Sequence, residues 1–334
     1  MSRLKFCAAF ALAVAASSAA AAPLTEGDKA DVIAKAVTLL EQRYVDAKLG
    51  ARLAQQLRSS SRRWSTVSEP QAFAQAVTGY LRQVSGDGHL GLSYSEKPIP
   101  EEGGEASFST AEMERWYGAH LNHGVEKIER LPGNVMLLDL RVFPPPEMAG
   151  DVIAAAMNVV AQGEALIIDL RKNGGGAETA QLLLAYLLEG GSQLSGTYDR
   201  PTDRRRYLSS PHWVPGRRYG ASKPLYVLTS RRTFSAAEAV AYNLQALKRA
   251  VIVGERTGGG AHPFEYRRVH AHFALDLPEG KSINPITGGN WQGVGVKPDV
   301  EVPADQALDR ALGLAREALA KGRSAAGSDP RSLP

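Results

Sequence analysis

A serine becomes a useful nucleophile when a base takes its proton and backbone donors hold the oxyanion it creates. In "RRTFSAAEAV" (Arg231–Val240), Ser235 stands where a strand-like run ends and a helix-like run begins. The Ala236 amide then points out of the first helical turn, where the helix dipole favours negative charge. The same residues have a structural reading. Ser235 with Glu238 three residues on is a capping box, with Phe234 in the staple position, and a cap is the commoner use of such a serine. A second oxyanion donor would come from "NGGG" (Asn173–Gly176), where Gly174 and Gly175 can take positive φ and approach a reacting carbonyl. A plain turn before a helix is the alternative there. Neither glycine pattern of a phosphate cradle is present.

The base must be histidine or lysine. His89, in "SGDGHLGL" (Ser85–Leu92), follows a helix end and a glycine-rich turn, where a side chain either projects into a cleft or sits exposed. His262, in "GGGAHP", lies in a loop after an apolar strand and is a candidate for substrate contact. His120 with His123 and His270 with His272 are spaced to share a face, but neither pair has a third ligand nearby, so no metal site is expected. Lys172 adjoins the glycine turn. Lys248 is about 20 Å from Ser235 at 1.5 Å per helical residue and cannot serve it.

These groups need elements to position them. Residues 1–22 carry Arg3 and Lys5, an apolar Phe6–Ala16 run and a small-residue Ala20-Ala21-Ala22 site, which reads as an export signal. The single cysteine, Cys7, leaves with it, so thiol chemistry, disulfides and cysteine metal sites are excluded from the mature chain. Loss of Arg3 and Lys5 lowers the formal charge of +4 by two, which leaves no nucleic-acid footprint. No later run is long and apolar enough for an integral membrane span. The basic runs Arg204-Arg205-Arg206 and Arg217-Arg218, interrupted by acids and turn residues, read as solvated loops.

Residues 23–95 form a small N-terminal helical unit, with Val32, Ile33, Ala36, Val37 and Leu40 at helical steps. A linker and helix occupy 96–133, an α/β domain 134–320, and a disordered tail 321–334. In the α/β domain, "NVMLLDLRV", "ALIIDL", "PLYVLTS" and "AVIVG" alternate with helix-like runs. That pattern predicts a largely parallel sheet with covering helices. Ligands of such sheets sit beyond the carboxyl ends of strands, which is where "RKNGGG" and "RRTFS" fall.

Together, "ALIIDLRKNGGG", "LTSRRTFSAAEAVAYNLQALKRAVIVGERTGGGAHP" and "NPITGGNWQGVGVKPDVEV" resemble the S41 family of serine peptidases. The likeness is to the branch similar to tricorn core and the interphotoreceptor retinoid-binding protein repeats, and it runs from Val32 to about Ala320. It implies a crotonase/ClpP-like spiral, a polypeptide substrate, no cofactor, Ser235 as nucleophile, and oxyanion donors at Ala236 and at Gly174 or Gly175. Tail-specific members use a lysine in a "T-F-G-K-G" stretch. Here Thr257-Gly258-Gly259-Gly260-Ala261 lacks it, so the resemblance points instead to the histidine of a "D-x-H" block, His89. Thr233, Thr257, Gly258 and His262 are the expected substrate contacts. Where the branch carries glutamate in "N-W-E-G-V-G-V", this chain has Gln292. A glutamine can hold an imidazole tautomer but cannot counter imidazolium with a full charge, leaving Glu238 or Asp87 as substitute acids. The gap from Ser95 to Asn134, about 40 residues, is too short for the PDZ domain of tail-specific members. The alternative is a weak or silent relative that binds a hydrophobic ligand or peptide through Phe264, Tyr266, Trp291 and Trp213.

Overall fold

The computed structural model describes residues 23–101 and 110–327; the expected leader, most of the Glu96–Thr110 linker and the last seven residues lie outside them. In chain order the helices are α1 (Glu26–Arg43), α2 (Ala47–Ser59), α3 (Pro70–Ser85), α4 (Thr110–Tyr117), α5 (Pro146–Val160), α6 (Thr179–Leu187), α7 (Ala236–Ala246) and α8 (Ala307–Gly327). The strands are β1 (Gly91–Tyr94), β2 (Val125–Leu131), β3 (Val135–Leu140), β4 (Ala165–Asp169), β5 (Gln193–Asp199), β6 (Arg204–Ser209), β7 (Leu225–Thr229), β8 (Val251–Gly254), β9 (Phe264–His270), β10 (Phe273–Pro278), β11 (Gly280–Ile283) and β12 (Val300–Glu301).

Strands β12-β8-β7-β4-β3-β2 form one sheet, parallel throughout except for the β2–β3 pair. The continuous apolar runs of β4 and β7 follow from burial on both faces. Leu166 and Ile168 pack under α5, α6 and α7, while their alternates Ala165 and Ile167 meet the Ala307, Ala311 and Ala315 stripe of α8. The largely parallel α/β architecture expected from sequence is therefore the one observed. Its sheet starts with β2, ahead of Asn134.

The N-terminal unit is less purely helical than its sequence reads. Its helices α1–α3 bury Val32, Leu40, Leu53, Phe73 and Leu81 against a sheet ordered β1-β10-β9. The β9–β10 hairpin comes from far along the chain and supplies Val269, Phe273, Leu275 and Leu277 to this second core. A charge clamp adds to the junction. Glu279, 2% exposed, receives both Arg43 from the end of α1 and Arg267 from β9.

Two other expectations change. The tail does not break at residue 321, because α8, anchored on the sheet by Ala307, Ala311 and Ala315, continues past Gly322 to Gly327. Arg204-Arg205-Arg206 is not a loop but β6, the edge of a third sheet ordered β11-β5-β6.

Candidate active site

Ser235 is the N-cap of α7 with φ +54° and ψ −120°, a conformation that L-residues rarely hold and that costs of order 1–3 kcal/mol. Three contacts impose it. The Phe234 amide donates to Asn173 O at 3.1 Å, tying the turn to the glycine loop. Gly175, at φ +105°, lies so close that a Cβ there would come within 2.7 Å of Ser235 Cβ, which is why only glycine fits. The Ser235 amide donates to Glu238 Oε2 at 2.8 Å, one half of the capping box read from sequence.

Glu238 does more than brace a helix. Its fully buried carboxylate also accepts from Thr257 Oγ1 (2.5 Å), Gly259 N (2.7 Å) and Gly260 N (2.8 Å). Burial pushes its pKa up, and these four donors oppose that shift. One side chain thus holds the serine turn and the 257–260 loop together. Gly260 must be glycine, since a Cβ would fall 2.2 Å from the Phe234 ring and 2.8 Å from His89 Cε1.

His89 follows α3 on the N-terminal unit, and its Nε2 lies 3.0 Å from Ser235 Oγ. Its ring sits between Phe234 and Phe264, with centroids 4.7 and 5.5 Å away. This aromatic slot leaves it 8% exposed, and burial lowers its pKa to about 4 against the opposing charge of Asp87. His89 Nδ1 is buried without a hydrogen-bond partner. Asp87 holds the backbone rather than the ring, its Oδ1 accepting the His89 amide at 3.0 Å. Asp87 Oδ2 accepts from Tyr44 Oη (3.0 Å) and His262 Nδ1 (2.8 Å). Burial works against the Asp87 carboxylate, but the His262 bond and charge and the His89 amide and ring together outweigh it and keep the pKa below the ordinary value.

The remaining expected residues divide. Ala236 is the first helical residue, so its amide has no intrahelical acceptor. Gly174 is exposed on the glycine loop, whereas the Gly175 amide is bound to Asn173 Oδ1 at 2.8 Å. Gln292 does not orient His89 in this structure, because its Oε1 accepts the Ala261 amide at 2.7 Å. Thr233 is fully buried, bonded to Leu170 O and Ser230 N, and therefore pins the turn instead of facing a substrate. Thr257 is likewise tied to Glu238 and Val296, and the Gly258 amide to Thr233 O. His262 is occupied by Asp87. Of the four aromatics read as a possible cleft, Phe264 lies beside His89 and Tyr266 packs edge-on against Phe264, while Trp291 is in the core and Trp213 is exposed. No group of three or more acidic, histidine or cysteine residues able to hold a metal occurs among the described residues.

Phe234 and Asn173 escaped the sequence reading as site residues, since an aromatic and an amide beside a turn carry no spacing signal. The "TFS" and "KNG" steps that contain them were visible; their mutual contact was not.

The model of peptidase family S41 matches residues 137–302, a span that contains Ser235, Glu238 and Gln292 and stops short of His89. The C-terminal processing peptidase of Tetradesmus obliquus chloroplasts is 31% identical over 145 residues, 41% of this chain and 28% of that protein. The chain matches less than a third of the length of such curated relatives. A lipoprotein from Streptococcus agalactiae superposes with TM-score 0.60 at 18% identity, covering 88% of this chain and 97% of the other. The tricorn protease gives 0.58 at 13% identity over 87% of this chain and 37% of its own. At these identities the two structures show a shared fold.

Proposed function

The chain belongs to peptidase family S41, and from that premise we propose that it is an exported serine peptidase of the Ser–His type. The observation that carries this reading is the 3.0 Å contact between His89 Nε2 and the hydroxyl of Ser235 on its strained helix cap. His89 takes the hydroxyl proton as Ser235 Oγ attacks a peptide carbonyl. The Ala236 amide, with the glycine loop, receives the oxyanion. Gly174 contributes directly, and Gly175 only by exchanging its Asn173 acceptor for the oxyanion. His89 then returns the proton to the leaving amine, and water hydrolyses the acyl-enzyme by the same route. Export is supported by the leader-like residues 1–22, and no helix among the described residues is long and apolar enough to cross a membrane.

A fluorophosphonate probe should label the wild-type protein at Ser235 and leave Ser235→Ala unlabelled, with cleavage of an unfolded polypeptide lost in parallel. Labelling elsewhere, or cleavage surviving in the variant, would sink the proposal. The low pKa of His89 gives a second expectation. The neutral imidazole is the base, so kcat/KM should stay level as pH falls from 7 and decline only near pH 4. Circular dichroism at each pH separates this limb from unfolding. A limb near the ordinary histidine value would exclude His89 in the environment described.

One observation favours a second reading, a slow or silent member that binds a peptide or hydrophobic ligand. His89 Nδ1 has no acceptor. A buried donor without a partner is disfavoured, so the ring hydrogen prefers Nε2, the nitrogen that must accept from Ser235. Ligand binding that persists unchanged in Ser235→Ala, without turnover by wild type, is the result that would select it.

A further inference from the structure

The β6 strand joins features that its sequence reading as a loop did not anticipate. It is the outer strand of β11-β5-β6, so one row of its backbone N–H and C=O groups has no strand partner. Arg204, Arg205, Arg206 and Tyr207 are all exposed, Tyr207 at 76%. Alternation along a strand puts Arg204 and Arg206 on one face and Arg205 and Tyr207 on the other. The nearby acids are already engaged: Asp199 accepts from Thr202, and Asp203 accepts from Tyr198 Oη at 3.1 Å. Among the described residues, the side chains of Arg204, Arg205 and Arg206 make no hydrogen bond or ion pair.

The strand is also fixed in place and close to the candidate site. Arg200, in the turn before it, bonds to the carbonyls of Glu41 and Tyr44 at the end of α1. On the other side of the sheet, the Ser282 amide of β11 donates to Ala261 O, next to His262. With strands about 4.8 Å apart, the free edge runs roughly 15 Å from that loop, within the span of a few extended residues.

We propose that the free edge of β6 is a docking strand for an extended acidic polypeptide segment, held by backbone pairing along Arg204–Ser209 and by charge contacts with the three arginines. Its role as a secondary site for substrate rests on the peptidase reading; the binding itself does not. Strand addition supplies a regular ladder of main-chain hydrogen bonds, and side chains at alternate positions supply selection. Acids on either face of the added strand meet arginine. A nucleic acid would satisfy the arginines but leave the amide and carbonyl row unused, which favours a peptide.

The test uses full-length Ser235→Ala protein, which lacks the proposed nucleophile, and a labelled peptide of alternating glutamate and valine. Fluorescence anisotropy should show saturable binding. The added changes Arg204→Glu, Arg205→Glu and Arg206→Glu should weaken it about tenfold or more. N-methylating alternate amides of the peptide should weaken it similarly with the protein unchanged, which removes any folding defect from the comparison. Binding that ignores the arginines overturns the proposal. So does binding that ignores N-methylation, or an oligothymidylate that binds as tightly as the peptide. With Ser235 restored, charge reversal should raise KM for an acidic substrate and spare a short uncharged one. Docking without cleavage would keep this proposal and remove the peptidase reading; cleavage indifferent to the arginines would do the opposite.

Discussion

Glu238→Ala should lower the stability of the fold by about 4 kcal/mol and reduce turnover by a factor of 100 or more, with the urea midpoint and kcat measured on the same protein. The change would strip an acceptor from four donors at once: the amides of Ser235, Gly259 and Gly260 and the hydroxyl of Thr257. An orphaned buried donor costs about 1–3 kcal/mol, and some of that is recovered when water enters the space. The catalytic loss has a separate origin. Ser235 is held at φ +54° against its own preference, and Glu238 supplies one of the contacts that hold it. Once released, the turn relaxes and Oγ leaves the line to His89. Glu238→Gln should fall between the two, since one oxygen still accepts while the new amide group faces donors. A midpoint and turnover both equal to wild type would show that the carboxylate does not organise the turn.

Gln292→Glu should raise kcat by about 100-fold and move the acidic limb of kcat/KM up from pH 4 towards the ordinary histidine range. Gln292 Oε1 is bonded to the Ala261 amide, one residue from Gly260, whose backbone flanks His89 Cε1. Cε1 is the ring carbon between the two nitrogens. A carboxylate in this place keeps the Ala261 bond with one oxygen and adds a full negative charge one residue from the backbone that flanks the ring, whose Nδ1 lacks an acceptor. Removing such a charge from a serine–histidine pair lowers kcat by about 10,000-fold, which sets the upper bound of the gain. The pH limb rises because a nearby negative charge favours imidazolium. A rate and profile unchanged from wild type would place residue 292 outside the machinery.

The parallel sheet was legible because its strands are buried on both faces and therefore carry unbroken apolar runs, such as "ALIID" and "LYVLT". The β9–β10 hairpin was not. "FEYRRVHAHFALDLP" alternates weakly, and nothing local shows that its apolar side closes the core of helices far earlier in the chain. At the site, Ser235 and Glu238 share one helical turn and could be paired by spacing. The reach of Glu238 to the 257–260 loop, and of Asp87 to His262, crosses between elements and has no periodic trace. The threonines were misplaced for the same reason: a hydroxyl beside a turn reads alike whether it meets a substrate or, as with Thr233, a buried carbonyl.

The serine turn and the histidine loop hang on different hydrophobic cores, one under the parallel sheet and the other beneath α1–α3. They meet across seams closed by Tyr44, Asp87 and His262 and by the Glu279 clamp. A nascent or partly unfolded chain consequently has no Ser–His pair, whichever core forms first. On the proposed peptidase reading, the nucleophile and its base come together only once both halves have docked.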